Sequence, residues 1–268
     1  MRTSGEHRTG LKRLAAITFA LVLGLPSPTW GQSPYALSWE RDGALGASAL
    51  ALGLGAWLAQ DATPPLTVDQ INALSSFDIN PLDRGATRLY SEDASVASDW
   101  ILYSLITVPL AMLADRRVRD DWQTYLLMYA ETLALNGGAG QLVKAVTGRT
   151  RPYAYNPDVP VELKMSPIAR KSFYSSHTSF AFSSAVFLAA TLVDYGADAD
   201  LAPYAVGLAA LGATAVGVLR YASGKHFPTD VLVGALAGSL IGWAIPALHR
   251  TRVEPASPRI GVAFSIPL

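Results

Sequence analysis

Apolar runs separated by short polar punctuation organise the chain from residue 43 onward. The first runs from Gly43 to Gln60 and is rich in Ala, Leu and Gly. The second, Trp100 to Ala114, ends at a charged turn containing Asp115, Arg116, Arg117 and Arg119. A third extends from Trp122 to about Val143, a fourth from Thr178 to Val193, a fifth from Leu201 to Leu219 and a sixth from Thr229 to Leu248. Several fall slightly short of the roughly 20 residues that a helix needs to cross the hydrocarbon layer, and flanking Trp100 and Trp122 suit the interface and lengthen them. The pattern predicts an all-α, membrane-embedded helical bundle of about six helices. Gly43, Gly46, Gly53 and Gly55 would let helix backbones approach closely. The alternative is a soluble all-α protein with unusually buried helices.

The ends and the first long connection read differently. Arg2, Arg8, Lys12 and Arg13 precede an apolar run from Leu14 to Leu25 that Pro26 breaks. That run matches a signal-peptide core and is short for a span, so residues 1–31 are expected to be a signal peptide or an uncleaved leader. Residues 61–99 are acidic, carry Pro64, Pro65 and Pro81, and read as an extramembrane loop with one short amphipathic helix. The tail, 251–268, contains the strand-like Ile260-Gly-Val-Ala-Phe-Ser-Ile, to which no role is assigned.

Composition supports the lipid reading. Half of the residues are hydrophobic and 16% are charged, against about a quarter in soluble domains. Net charge is zero, which gives no reason to expect nucleic acid as a partner. With no cysteine, disulfides, thiolate metal sites and a cysteine nucleophile are excluded. Glu131 lies inside the third run, where a carboxylate is either functional or paired with a nearby Arg.

Three polar clusters stand at the ends of apolar runs: Lys144-Ala-Val-Thr-Gly-Arg-Thr-Arg151-Pro152, then Tyr174-Ser175-Ser176-His177, then Arg220-Tyr-Ala-Ser-Gly-Lys-His226-Phe-Pro-Thr-Asp230. Lys144, Arg151 and Arg220 are three fixed charges, costly at a membrane boundary unless paired. Arg presents a planar fork that matches phosphate oxygens, and Lys a point charge. Ser175 and Ser176 sit where a helix begins, and its first-turn N–H groups make an anion seat. His177 and His226 can move protons near neutral pH, and histidine can also attack phosphorus. Asp230, four residues after His226, can accept the imidazole Nδ1–H and leave Nε2 free if the turn folds back. Singly, each residue has an ordinary explanation: an interface anchor, a helix cap, a structural histidine. A metal bound by His177, His226 and Asp230 is disfavoured, because three neighbouring positive charges would repel a divalent cation.

In order and spacing these clusters resemble the three-part motif of the type 2 phosphatidic acid phosphatase and vanadium haloperoxidase superfamily. Lys144, Arg151 and Pro152 fit its first part, Ser175 and His177 its second, and Arg220, His226 and Asp230 its third. The resemblance covers roughly residues 100–250, expected to be a phosphatase core after the leader and the 32–99 segment. It implies His226 as a nucleophile forming a phosphohistidine, Asp230 orienting it, and His177 as the general acid. Lys144, Arg151, Ser175, Ser176 and Arg220 would hold the phosphoryl oxygens, with no metal and no cofactor. Tyr174 departs from the motif proline, Ser176 from its glycine and Leu219 from its serine. Ser176 matters most, since a side chain there can crowd the phosphate.

The leading expectation is hydrolysis of a lipid phosphate monoester or pyrophosphate, with a phospholipid or prenyl phosphate as substrate. The alternatives are a vanadate-dependent haloperoxidase and a non-catalytic lipid-binding membrane protein with a degraded site. The expected location is a bacterial-type inner membrane, multi-pass. Arg116, Arg117 and Arg119, with Arg250 and Arg252, favour the cytoplasm and so set the active site on the periplasmic or outer face, whereas a cleaved leader would argue the reverse.

Overall fold

A computed structural model describes residues 33–60 and 63–251. The expected leader and the strand-like tail lie outside those residues. Six long helices dominate: α1 (Trp39–Ala59), α2 (Glu92–Thr107), α3 (Trp122–Thr147), α4 (Ser176–Asp194), α5 (Ala202–Ala222) and α6 (Pro228–His249). They correspond one to one with the six apolar runs, and the molecule is an all-α membrane bundle. All but α3 are long and apolar enough to cross a membrane, α2 doing so together with the 3-10 turn Val108–Ala114 that prolongs it. The exception is the polar interior helix, which buries Glu131, Thr132, Asn136 and Lys144 among its apolar residues.

Local chemistry sets the helix ends. Ser91 caps α2 by accepting from the Ala94 amide, and Glu92 and Asp93 follow in the first turn, where the helix dipole favours acids. This start lies eight residues before the apolar run at Trp100. The end of the expected acidic loop is therefore two helical turns, and they carry Ser95 and Ser98 into the interior. The rest of that loop winds through short helices at Val68–Asn72 and Pro81–Arg84 and 3-10 turns at Ser76–Asp78 and Gly85–Arg88.

The helices alternate in direction. At one end Thr63 Oγ1 donates to Ala145 O, Ser175 N to Asp230 O, and Arg220 Nη1 to Ser95 Oγ. At the other, Tyr35 bridges to Arg250 and Ala36 N donates to His249 O. One core joins α2, α4 and α5 through Leu102, Leu105, Ala185, Leu188, Ala213 and Val216. A second joins α3, α4 and α6 through Tyr125, Met128, Tyr129, Phe187 and Ile245. Meanwhile Leu50, Leu54, Leu58, Leu208, Leu211, Leu236 and Leu240 point outward, an apolar exterior that only lipid solvates without penalty.

The closest seam is α4 on α6. A Cβ at Gly234, Gly238 or Gly242 would stand 2.6, 2.1 or 2.3 Å from the carbonyl oxygens of Ser175, Ser179 and Ser183, so α6 rests directly on the backbone of α4. The glycines expected to do this in α1 are mixed: Gly46 is buried and Gly55 faces the Leu142 side chain of α3. Gly43 and Gly53 face open space, and the close approach of α1 to α3 is made by Gly138 against Leu52.

Candidate active site

All eight residues singled out in the sequence lie at the end of the bundle shared by the C-terminus of α3 and the N-termini of α4 and α6. Lys144 closes the last turn of α3, and its Nζ donates to Ser176 Oγ at 2.6 Å. Ser175 caps α4: its hydroxyl accepts from the Thr178 amide, and its own amide donates to Asp230 O. The first-turn N–H groups of α4 have no intrahelical partner, and the Lys144 ammonium stands beside this turn at Ser176. The serine that departs from the motif glycine is accommodated, because a Cβ at Gly140 of α3 would meet Ser176 Oγ at 2.9 Å. Glycine there gives this hydroxyl its room.

Arg151 follows α3 in a loop fastened by Arg151 N donating to Ala169 O and Tyr153 N to Gly224 O. Gly224 sits in a left-handed conformation (φ +67°), and a Cβ there would collide with Leu89 O at 2.0 Å. Only glycine lets this turn press against that strand of loop while carrying His226 inward. Arg151 is buried, and its Nε has no partner among the described residues; the same is true of Arg220 Nε. Arg220 Nη1 reaches Ser98 Oγ at 3.2 Å and Asp99 Oδ1 at 3.3 Å. Asp99 Oδ1 also lies 2.8 Å from His177 Nε2, so one carboxylate ties the two together at the rim.

His226 is 1% exposed, and its Nδ1 faces Ser172 O at 2.7 Å. A ring nitrogen facing a carbonyl must carry the proton, which leaves the lone pair on Nε2. Burial, reinforced by the charges of Arg151, Lys144 and Arg220, drives this imidazole well below the ordinary histidine value, so the ring is neutral. Asp230 does not take the Nδ1 proton as the spacing invites. Its Oδ2 is 3.7 Å from Nδ1 and instead accepts from Ser172 Oγ (2.5 Å) and the Phe227 amide (2.9 Å). The reason is local: Asp230 lies in the first turn of α6, where its carboxylate meets the free Phe227 amide. Asp230 thus holds the serine whose carbonyl holds the histidine.

Behind Asp230 stands a buried ion network. Arg149 donates to Asp230 Oδ1 (2.5 Å), Asp83 Oδ2 (2.7 Å) and Thr229 Oγ1 (2.8 Å), with its guanidinium 4.2 Å from the centre of the Phe227 ring. Burial alone would raise the Asp83 carboxyl, but hydrogen bonds from Thr229, Arg149 and Asn80 outweigh it and hold the group below the ordinary aspartate value. Asp99, Ser172, Arg149 and Asp83 were not assigned roles from the sequence. Arg149 lies inside the first cluster and Asp99 follows a clear helix-start signal, but Asp83, in the short helix Pro81–Arg84, and the loop residue Ser172 owe their importance to tertiary contacts.

Between α1 and α3 a cleft of about 330 Å³ opens, lined by Gly53, Ala56, Trp57, Gly137 and Gly138, with Gln60, Gln141 and Lys171 among its polar residues. Lys171 precedes Ser172, so the cleft runs beside the segment that anchors His226.

A family model described as the PAP2 superfamily matches residues 125–254. No curated protein and no solved structure matches the chain.

Proposed function

The chain belongs to the PAP2 superfamily over residues 125–254, and on that premise we propose that it is a metal-independent lipid phosphatase, hydrolysing a lipid phosphate monoester or pyrophosphate through a phosphohistidine. The observation that carries this reading is the unbalanced charge of the buried pocket. Asp83 and Asp230 both face Arg149, and among the described residues Asp99, on Arg220, is the one carboxylate paired with any of Lys144, Arg151 and Arg220. A phosphate anion would meet this surplus of cations and give the partnerless Nε groups of both arginines an acceptor.

In the proposed reaction His226 Nε2 attacks phosphorus while its Nδ1–H stays on Ser172 O, which supports the positive charge growing on the ring. The phosphorus–oxygen bond to the lipid breaks as His177 gives its proton to the leaving oxygen. Water, losing a proton to His177, then attacks phosphorus, the N–P bond breaks and phosphate leaves. Lys144, Arg151, Arg220, Ser175 and Ser176 hold the equatorial oxygens, where preorganised charge supplies most of the rate.

The apolar exterior and the α1–α3 cleft favour a substrate whose acyl or prenyl tail stays in the membrane. We place the chain in a bacterial-type inner membrane with the pocket outside, since the Arg116–Arg119 turn lies at the opposite end; single cysteines in this cysteine-free chain, probed with an impermeant reagent, test that orientation. The function is tested by phosphate release from phosphatidic acid and from a prenyl pyrophosphate. Absence of release from either, or halide oxidation that requires vanadate, overturns the proposal.

A further inference from the structure

At the end of the bundle opposite the phosphate pocket, three titratable side chains from three helices meet in the interior. Asp42 is in the first turn of α1, Glu131 is in α3, and His249 closes α6; they are 5%, 3% and 0% exposed. His249 Nε2 lies 3.2 Å from Asp42 Oδ1 and 3.2 Å from Glu131 Oε2, and one ligand atom from each residue falls within 4.8 Å of the others.

The hydrogen bonds leave this meeting incomplete. His249 Nδ1 faces Ile245 O at 2.8 Å and so carries the proton. In the neutral tautomer that this bond sets, Nε2 keeps a lone pair on the side of the two carboxylates. Neither carboxylate oxygen is aligned to make a hydrogen bond with Nε2, and Nε2 and both Glu131 oxygens have no hydrogen-bond partner among the described residues. Asp42 is better supplied: Oδ2 accepts from the Ser38 amide and Oδ1 from Arg41 Nε, each at 2.7 Å. A buried carboxylate with no donor is strongly penalised unless a cation meets it.

Two of the three ligand separations point to a small cation. Two ligands on a tetrahedral ion with bonds of about 2.0–2.1 Å stand about 3.3 Å apart, close to the 3.2 Å found on both sides of His249 Nε2. An Nδ1–H held by a backbone carbonyl is also how metal-bound imidazoles are oriented. We propose that Asp42, Glu131 and His249 bind one divalent transition-metal ion, with zinc as the ion that this one-nitrogen, two-oxygen set fits.

The ion would give Glu131 the countercharge it lacks, share Asp42 with Arg41, and fasten the start of α1, the middle of α3 and the end of α6. It takes no part in the phosphate chemistry. His249 follows Asp230 by nineteen positions on α6, about 28 Å at 1.5 Å per residue. Its role is that of a structural staple, independent of the function proposed above.

The test uses tag-free, full-length protein in detergent, loaded with zinc, freed of unbound metal and assayed by mass spectrometry for metal content. Wild type should retain about one zinc per chain, and Glu131→Gln about a tenth of that or less. Wild type without zinc, or Glu131→Gln with as much as wild type, overturns the proposal. Cobalt serves as a second readout that needs no variant. Chelator-stripped wild type should develop, at one equivalent of cobalt, the intense visible bands of a four-coordinate ion; the weak spectrum of hydrated cobalt overturns the site. Neither readout depends on hydrolysis, so failure here and failure of the phosphatase reading are distinguishable.

Discussion

His226 and His249 stand at opposite ends of one bundle, both buried and both with Nδ1 on a backbone carbonyl and Nε2 turned into the interior. What differs is the charge around them. Lys144, Arg151 and Arg220 surround the first, while Asp42 and Glu131 flank the second. The same ring anchoring therefore meets opposite fields. On the two proposals above, cations would draw a phosphate dianion toward His226 and repel a metal, and carboxylates would draw a metal toward His249 and repel a phosphate. The residue type does not decide what a histidine does here. The neighbouring charges do, and these are fixed by which helix ends the bundle brings together.

The largest expected effect breaks the cationic end. His226→Ala should lower phosphate release by about 10⁴-fold or more and abolish a trapped, acid-labile phosphoenzyme. Mass spectrometry should locate that phosphate on His226 in the wild type; finding it on His177, with His226→Ala still able to form it, reverses the two roles. Next in size, His177→Ala should cost about 10²–10⁴-fold on an alkyl lipid phosphate, the range for general-acid help. An aryl phosphate, whose leaving group needs less of that help, should suffer less. Equal losses on both substrates would remove His177 from leaving-group protonation.

Asp230→Asn should cost about 10–100-fold on both substrates alike, as losses behind an oriented histidine do. Its carboxylate accepts from Ser172 Oγ, and Ser172 O receives the His226 proton, so the change loosens the nucleophile and leaves the leaving group untouched. A loss confined to the lipid substrate would contradict this path. A subtler effect concerns pH. The His226 ring is held below its ordinary value, so nitrogen-15 spectra should still show it neutral at about pH 6, where an unperturbed imidazole is largely charged. The sign for stability follows: as pH falls below about 6.5 the unfolded chain takes up a proton that the folded ring refuses, so acid destabilises. A charged His226 ring at that pH contradicts the proposed field.

The two ends were not equally legible in the sequence. The six apolar runs gave the six helices, because hydropathy reads burial in lipid directly. The cationic cluster was legible because its members are bunched into three short segments at helix ends, with Lys144 to Arg151 and Arg220 to Asp230 each within a dozen positions. Asp42, Glu131 and His249 are far apart in the chain, and only Glu131 drew attention, as a lone carboxylate in an apolar run. Its Oε2 lies 3.2 Å from His249 Nε2, where the sequence leaves a functional role and a nearby arginine equally open. The α4–α6 seam shows the same limit. Gly234, Gly238 and Gly242 are spaced by four in the sixth run, yet the glycines of the first run look as suitable until the neighbouring helix is known.

The smallest expected change in rate sharpens the comparison at both ends together. Stripping divalent metal with excess EDTA should leave the initial rate of phosphate release, measured well below the melting temperature, within about twofold of its starting value, since preorganised cationic donors supply the stabilisation. The same treatment should lower the melting temperature by several degrees, because a ligand bound to the folded state alone stabilises it by mass action. Restoring zinc should restore the melting temperature and leave the rate unchanged. Loss of activity with rescue by magnesium would break the metal-free reading of the His226 pocket, and an unchanged melting temperature would break the metal reading of the His249 cluster. The two outcomes are separable because the groups they report on lie at opposite ends of α6, with Asp230 in its first turn and His249 at its last residue.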